Sequence, residues 1–368
     1  MFINLNKNKK HSFFMNLALL QARKNLGNTG INPSVGCAIV KNDNLISLGS
    51  TSNEGRPHAE KNALKSSLIK VRGSDMYITL EPCSHKSKRP SCVESICKNG
   101  IRKVFFSIND PDVRSFDKSK LILSKNKIVV TRGISYKILK SFYRSYLKSK
   151  TSLLPFVTCK LAISKDYFTV NNKDKWITNF YSRSRGHVIR SQHDCIITSY
   201  KTIVKDNSRL TCRINGLIER SPDRVILDKN LKTPIYSNIV RETKKNRTII
   251  FFNNTKNKKK IRLLKKFKIK LIHFPLDYKG EFDLQEVLMK LKEFGFSRIL
   301  VEAGYNLSLN FLYKNLVDDL KLFVSNLNLY KNGKHNIKKH FRVILKKRKK
   351  FYEKVNLYGD KLITYELK

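Results

Sequence analysis

RPHAE at residues 56–60, EPCSH at residues 81–85 and PSC at residues 90–92 carry the strongest chemical signal in this chain. His58, Cys83 and Cys92 supply one imidazole and two thiolates, which make three of the four ligands of a tetrahedral zinc site. The fourth position is then left for water, as in catalytic zinc sites. Zinc lowers the pKa of its bound water to about 7, and a nearby carboxylate that is not a ligand, here Glu60, is placed to carry protons to a leaving amine. The motifs therefore predict a hydrolytic Zn²⁺ site.

The residues around these motifs alternate between helical and strand patterns. The predicted elements are, in order, a helix at 11–25, a hairpin formed by CAIV and LISLGS, a helix at 58–69, the strand DMYITLE, a helix at 91–99, the strand IRKVFFSI, a helix at 118–124, the strand KIVVTRG and a helix at 136–146. This order predicts an α/β domain over residues 1–148, with helices on both faces of one sheet.

The polar segment SKTSLL at residues 149–154 leads into a new strand, PFVTCKLAIS, and marks the predicted domain boundary. Residues 149–368 continue with a helix at 181–192, the strands DCIITS, RVILD, RTIIFF and IKLIHF, a helix at 284–294, the strand SRILVEAG, a helix at 307–316 and further strands. The second domain is therefore also predicted to be α/β.

Composition limits the function classes. The 75 Lys and Arg residues against 28 Asp and Glu give a formal charge of +47, but lysine is spread along the whole chain, which favours compositional drift over one binding face. The densest basic runs, 256–270 and 346–350, are predicted to be solvated faces or loops, with a polyanion-binding patch as the alternative. No apolar run approaches the roughly 18 residues of a membrane helix, and no export signal is evident. The seven scattered cysteines indicate a reducing, cytoplasmic location.

The H-x-E and P-C motifs resemble those of zinc-dependent nucleobase and nucleotide deaminases. Eight residues separate Cys83 from Cys92, and this longer loop, E-P-C-S-H-x4-P-x-C, is similar to the deaminase half of the bifunctional riboflavin-biosynthesis enzymes. In that family a diaminohydroxyphosphoribosylaminopyrimidine deaminase is joined to a 5-amino-6-(5-phosphoribosylamino)uracil reductase. NPSVGC at residues 32–37 matches the family's substrate loop. The resemblance implies that Asn32 contacts substrate; for His85, a substrate contact and a structural loop role stay open.

The second half also resembles the family, whose reductase domain is similar to dihydrofolate reductase. PFVTCKLAISKD at 155–166, WIT at 176–178, DCIITSYKTIVKDNSRLTCR at 194–213 and LVEAG at 300–304 match it in order, so the resemblance covers essentially the whole chain. It implies a cytidine-deaminase-like domain followed by a reductase that uses NADPH to convert a ribosyl to a ribityl chain. The implied substrate is a small phosphorylated pyrimidine, and the implied assembly is a homodimer or larger, without nucleic acid or membrane.

The resemblance also assigns individual residues of the reductase half. It implies that substrate contacts come from Arg190, Leu210, Arg213 and Glu302, and that NADPH contacts come from Ala162, Trp176, Thr202, Asp206 and the backbone of Gly304. Lys160 and Glu302 would flank the ribose as catalytic residues. One of the two would supply the acid for the departing ring oxygen, and the sequence leaves open which.

Several positions depart from the family pattern. The segment after Asp110 and Pro111 lacks the usual glycines, Tyr167 stands where glycine is usual, and Lys229 stands where a small residue often meets NADPH. These departures keep one alternative open, an active deaminase with a weakened reductase. Two others are a tRNA or nucleobase deaminase that uses its basic surface, and a degenerate relative that only binds anionic partners.

Overall fold

The computed structural model describes residues 7–85, 90–243, 246–255 and 257–368. It divides into two compact units, of which the first ends at Ser152 and the second begins at Leu153. The predicted boundary after residue 148 falls within the last turn of the helix Tyr136–Thr151, so that turn belongs to the first unit. Among the described residues, none of the helices has the length and apolar character needed to cross a membrane.

The first unit is a five-stranded mixed sheet with helices packed on it. Its helices are α1 (Lys7–Lys24), α2 (Ala59–Ser66), α3 (Cys92–Lys98), α4 (Lys118–Lys125) and α5 (Tyr136–Thr151), and its strands are β1 (Gly36–Lys41), β2 (Asn44–Ser50), β3 (Asp75–Leu80), β4 (Lys103–Ile108) and β5 (Val129–Arg132). The strand order is β2-β1-β3-β4-β5. Strand β1 is antiparallel to β2 and β3, whereas β3, β4 and β5 run parallel. This is the element order that the sequence predicts.

The second unit is built on a nine-stranded sheet. Its helices are α6 (Phe180–Arg190), α7 (Tyr200–Asp206), α8 (Asn238–Arg241), α9 (Lys258–Lys266), α10 (Leu284–Glu293), α11 (Tyr305–Tyr313) and α12 (Lys338–Ile344). Its strands are β6 (Phe156–Ile163), β7 (Phe168–Asn171), β8 (Cys195–Ser199), β9 (Asp223–Leu227), β10 (Thr248–Phe252), β11 (Lys270–His273), β12 (Arg298–Val301), β13 (Asp319–Val324), β14 (Gly333–Asn336), β15 (Lys349–Tyr352) and β16 (Lys361–Glu366). The order is β11-β10-β9-β8-β12-β6-β13-β16-β15, and β7 pairs separately with β14.

Both faces of the parallel part of this sheet are buried. On β8, Cys195 and Ile197 point into one core, and Ile196 between them points into the other. Helix α10 covers the first face with Leu288, and α9 covers the second with Leu264. Because parallel strands buried on both faces need apolar residues at every position, this explains the continuous apolar runs in the sequence. The carboxyl ends of β6, β8 and β12 lie at one edge, where α/β sheets bind ligands.

Helix α9 is absent from the sequence-based assignment, which places a solvated face or loop over residues 256–270. Residues 258–266 form a helix whose Leu264 is fully buried, whereas Lys258, Lys259 and Lys265 are exposed. Residue 256 lies outside the described residues. The solvated face is therefore present, but it belongs to an amphipathic helix anchored on the sheet.

Two glycines let helices pack directly on the first sheet. A Cβ at Gly36 would lie 1.8 Å from the Ala18 carbonyl oxygen of α1, and a Cβ at Gly49 would lie 2.2 Å from the Ala59 carbonyl oxygen of α2. Both are backbone atoms, which have little freedom to move aside. The absence of a side chain at these two glycines therefore allows the close packing of helix on sheet.

Replacing Gly49 by alanine should destabilise the first unit by about 1–3 kcal/mol, because the added methyl group pushes α2 off the sheet. Urea unfolding followed by circular dichroism measures this. Gly186→Ala is the control, since no atom lies within 4 Å of a Cβ at Gly186 in α6. It should be neutral or stabilising by up to about 1 kcal/mol. Equal effects of the two substitutions would contradict the packing argument.

His193 is buried in the second unit as a neutral side chain. Its Nδ1 lies 2.7 Å from the Ile189 carbonyl oxygen and its Nε2 lies 2.9 Å from Thr158 Oγ1. Burial, followed by the nearby Arg298 charge, lowers the pKa of His193 to about 3. The unfolded chain therefore takes up a proton below about pH 6.5 that the folded chain does not, and stability falls as the pH falls towards 3.

His193→Gln should remove this part of the pH dependence, because glutamine does not titrate. Between about pH 7 and about pH 5, the unfolding free energy of the parent should fall by about 2 kcal/mol more than that of the variant. Fluorescence of Trp176, the single tryptophan, reports urea unfolding of this unit. Parallel losses in the two proteins would show that His193 is protonated in the folded state.

Candidate zinc and reductase sites

The ends of three elements position the three predicted zinc ligands. His58 is the residue that precedes α2, Cys83 follows the end of β3, and Cys92 is the first residue of α3. Helix α3 begins there because Ser91 and Glu94 form a reciprocal capping box, in which the Ser91 hydroxyl accepts from the Glu94 N–H and the Glu94 carboxylate accepts from the Ser91 N–H, both at 3.1 Å. Each ligand is therefore held at the junction of a loop with a regular element.

These three side chains converge on one point. The Nδ1 atom of His58 lies 3.2 Å from Cys92 Sγ and 3.5 Å from Cys83 Sγ, and the three candidate ligand atoms lie within 4.8 Å of one another. Tetrahedral zinc with ordinary Zn–N and Zn–S bonds separates N and S ligands by about 3.5 Å. Both thiols are free of disulfides. The donor set and its spacing therefore fit zinc.

Glu60 lies beside this cluster in the first turn of α2. Its side chain is only 3 % exposed, and it hydrogen-bonds with the Cys92 thiol. Burial raises the pKa of Glu60, although His58 counteracts part of that effect. The pKa of Cys83 is lowered to about 4, first by its hydrogen bond with Cys92 and despite its burial. A buried carboxyl group next to a thiolate-bearing cluster is suited to proton transfer.

The cluster opens into a cleft lined by the side chains of ten residues. They are Arg56, Pro57, His58, Lys61, Asn62, Lys65, Cys83, His85, Pro90 and Ser91. His85 is thus part of the cleft wall, which is the position that a substrate contact requires. Asn32 is outside this lining and packs against Gly55, next to Arg56. The sequence analysis did not identify Lys61 and Lys65 as cleft residues, because a single lysine does not indicate a binding site in so basic a chain.

In the second unit, Lys160 on β6, Glu302 after β12 and Arg190 at the end of α6 form one ionic cluster. Nε and Nη2 of Arg190 donate to the two carboxylate oxygens of Glu302, both at 2.8 Å, and Lys160 Nζ lies 3.5 Å from Glu302 Oε1. Nη1 of Arg190 donates to the Thr211 carbonyl oxygen at 3.0 Å. Burial alone would raise the pKa of Glu302, but Arg190 and Lys160 together hold it well below its ordinary value. Glu302 is therefore ionised.

The resemblance gives a substrate contact to two further residues, which differ in exposure. Leu210 is buried in the core with a φ of +55°, so its side chain is not accessible to a ligand. Arg213 is exposed, and its backbone N–H donates to His187 Nδ1 at 3.3 Å. Of the two, Arg213 has the side chain that is free to meet an anionic group.

Residues with an implied NADPH contact lie on several elements. Gly304 caps the start of α11, and a Cβ there would lie 4.0 Å from Thr202 Oγ1 of α7. Trp176 is 53 % exposed and has the Arg183 guanidinium 4.9 Å from its ring centroid. Ala162 is half-buried on β6, and Asp206 is exposed at the last residue of α7. The structure brings Thr202 and Gly304 together at the carboxyl edge of the sheet.

His187 is a residue of this site that the sequence analysis missed. Its Nδ1 lies 3.0 Å from the Thr211 carbonyl oxygen and 3.4 Å from Arg190 Nη1. Burial, then Arg190 and Arg213, lower the pKa of His187 to about 4, so the ring is neutral at pH 7. His187 could have been identified from its spacing, because it lies three residues before Arg190 and therefore on the same face of the helix.

Comparison with known proteins covers both units. The model of the cytidine and deoxycytidylate deaminase zinc-binding region matches residues 8–108, and that of the RibD C-terminal domain matches residues 155–339. The riboflavin biosynthesis protein RibD of Aquifex aeolicus is 32% identical over 314 residues, which are 85% of this chain and 86% of that protein. The Bacillus amyloliquefaciens protein of the same name is 32% identical over 84% of this chain and 83% of that protein.

Solved structures agree with these matches. Acinetobacter baumannii RibD superposes with a TM-score of 0.83 and 27% identity, covering 98% of this chain and 99% of that chain. The structure of a diaminohydroxyphosphoribosylaminopyrimidine deaminase/5-amino-6-(5-phosphoribosylamino)uracil reductase from Thermotoga maritima shares the fold, with a TM-score of 0.79, 24% identity, and coverage of 98% of this chain and 99% of that chain. The predicted order of a cytidine-deaminase-like domain and a reductase domain is therefore confirmed. Because the matches extend over most of both chains, this protein belongs to the RibD family of riboflavin biosynthesis proteins, with a zinc-binding deaminase domain followed by a reductase domain.

Proposed function

We propose that the first unit hydrolytically deaminates 2,5-diamino-6-(5-phosphoribosylamino)pyrimidin-4-one. The second unit then reduces the ribosyl chain of the product to a ribityl chain with NADPH. The observation that carries the first step is the convergence of His58, Cys83 and Cys92 beside buried Glu60. The observation that supports the second is the ionic cluster of Lys160, Arg190 and Glu302 at the carboxyl edge of the sheet.

In the deaminase unit, His58 Nδ1 and the sulfurs of Cys83 and Cys92 would hold Zn²⁺. When bound, zinc supplies an activated water for attack on the pyrimidine carbon that carries the amino group. The Glu60 carboxylate accepts the proton of that water and delivers it to the departing amine. His85 contacts the pyrimidine from the cleft wall, and Arg56, Lys61 and Lys65 give the cleft the positive charge that suits a phosphorylated substrate. The substrate contact of Asn32, which lies outside the cleft lining, rests on the family resemblance alone.

In the reductase unit, the ionic cluster supports Lys160 rather than Glu302 as the acid. NADPH supplies the hydride when bound. Glu302 is held ionised by its two cations, so it has no proton to give, and the Lys160 ammonium protonates the ring oxygen that departs from C1′. Arg190 directs its donors at Glu302 and Thr211, so it orients Glu302, and exposed Arg213 is left to meet the substrate phosphate.

The cofactor would lie along the carboxyl edge of the sheet. The free N–H groups at Gly304 favour a phosphate group, and neighbouring Thr202 adds a hydroxyl. Ala162, Trp176 and Asp206 complete the proposed contacts. Lys229, which departs from the family pattern, donates to the Gly280 carbonyl oxygen at 2.8 Å and pairs with Glu281 at 2.9 Å. Its charge is therefore engaged within the protein, which favours an active reductase over a weakened one.

We propose in addition that the protein works in the cytoplasm as a homo-oligomer. Light scattering of the purified protein tests the assembly, and a monomer at micromolar concentration would contradict it.

The order of the two reactions has its own test. Ammonia release should proceed without NADPH, and NADPH oxidation should begin only after deamination.

Cys83→Ser should lose both bound zinc and ammonia release, because a hydroxyl is a poor replacement for a thiolate ligand. Glu60→Gln should keep its zinc and lose ammonia release by about 10²–10⁴-fold. Metal analysis and ammonia assays without NADPH measure both effects. Cys97→Ser, a cysteine substitution on the same helix as Cys92, is the matched control and should retain zinc and activity. Full zinc content in Cys83→Ser would overturn the ligand assignment.

Lys160→Met should abolish NADPH oxidation and leave ammonia release unchanged. Arg190→Lys should slow NADPH oxidation at least about 10-fold, because lysine does not offer the two-pronged contact with Glu302. Stopped assays with the deaminated substrate separate this step from deamination. Arg185→Lys is the control, since Arg185 lies on the same helix and pairs with Glu353 instead. Equal losses in the two arginine variants would argue against a specific role for Arg190.

A further inference from the structure

The segment of residues 110–119, which leads from β4 into the first turn of α4, is hydrogen-bonded to the residue that follows β3. Glu81, which follows β3, accepts from the backbone N–H groups of Asp110 and Asp117 at 3.2 Å each. It also accepts from the N–H of Ser119 at 3.3 Å and from its hydroxyl at 2.7 Å. Glu81 precedes Pro82 and Cys83 in sequence, so one short stretch carries both a zinc ligand and the anchor of the 110–119 segment.

The anchored segment reaches the deaminase cleft through one side chain. Ser115 is fully buried, and its backbone N–H donates to the Asp112 carbonyl oxygen at 2.8 Å. Its hydroxyl oxygen lies 3.0 Å from Nδ1 of His85, and His85 lines the cleft together with His58 and Cys83. Thus the 110–119 segment, which lacks the family's glycines, touches a residue of the site.

We propose that Ser115 is a positioning residue for His85 in the deamination reaction. The inference rests on the proposed deaminase function and on a substrate contact by His85. The hydrogen bond to Ser115 holds one ring nitrogen and fixes the plane of the imidazole. The other nitrogen, Nε2, has no hydrogen-bond partner within the part of the chain that the structure describes, and it is available to the substrate.

The hydrogen bonds of Glu81 support this contact. Four hydrogen bonds to one carboxylate hold both ends of the 110–119 segment next to the stretch that carries Cys83. A catalytic or binding side chain needs such support, because a small misplacement lowers the rate strongly. The imidazole of His85 therefore keeps a fixed position relative to the zinc ligands before the substrate arrives.

The test is a double-mutant cycle on the zinc-loaded full-length chain, with steady-state ammonia release from the diaminopyrimidinone substrate as the readout. Ser115→Ala should raise KM about 10-fold, the effect of losing one ordinary hydrogen bond, with full zinc content. In a His85→Ala background, Ser115→Ala should have no further effect, because the group that it positions is gone. Ser107→Ala is the matched control. Ser107 is a buried serine of the same unit whose hydroxyl has no hydrogen-bond partner among the described residues.

An unchanged KM in Ser115→Ala would overturn the proposal, and so would effects of the two substitutions that multiply in the double variant. If Ser115→Ala does not fold, Ser115→Cys takes its place in the cycle, since a thiol of similar shape makes only a weak hydrogen bond. A zinc-loaded parent protein that releases no ammonia from this substrate would instead refute the proposed function. That outcome is distinct, because it appears before any substitution is made.

Discussion

The deaminase site depends on the carboxyl end of β3. Glu81 and Cys83 follow this strand, so one candidate zinc ligand and the anchor of the 110–119 segment come from a single stretch of backbone. The other two candidate ligands lie where α2 and α3 begin, and these helix starts are set by direct packing of α2 on β2 at Gly49 and by the Ser91 capping box. Each of these residues lies at or just after the end of a regular element, and the three candidate ligand atoms converge within 4.8 Å of one another.

The reductase site depends on a different constraint, the requirement that a carboxylate largely removed from water be paired. Removing Glu302 from water raises the free energy of its charged form, and two cations with directed hydrogen bonds compensate for it. The compensation uses most donors of Arg190, which is why this arginine orients Glu302 rather than presenting a free guanidinium. The same pairing keeps Glu302 ionised, and on this ground we propose Lys160 as the proton donor.

Much of this arrangement was predictable from local sequence patterns. The remainder was not predictable, and the reason is physical. Alternating strands and helices, and the spacing of His58, Cys83 and Cys92, are local signals that survive in a single sequence. Helix α9 was missed because six basic residues in nine hide an apolar stripe of only Ile261, Leu263 and Leu264. The contacts of Arg190 with Glu302 and of Ser115 with His85 join residues 112 and 30 positions apart. Such long-range contacts are made by the fold, and they produce no periodic pattern in the amino-acid sequence.

The charge of +47 has an explanation that needs no polyanionic partner. Many of the 28 acidic residues stand where a carboxylate satisfies backbone N–H groups, as Asp194 does for Ser297 and Arg298, Asp228 for Lys232 and Thr233, and Asp166 for Leu329 and Tyr330. Lysine is unable to accept these hydrogen bonds, so basic substitution there would leave these backbone N–H groups without their partners. On solvated faces such as that of α9, no such restriction applies. A chain that gains lysine wherever the fold permits it therefore becomes strongly basic overall while its anchoring carboxylates and its two sites stay intact.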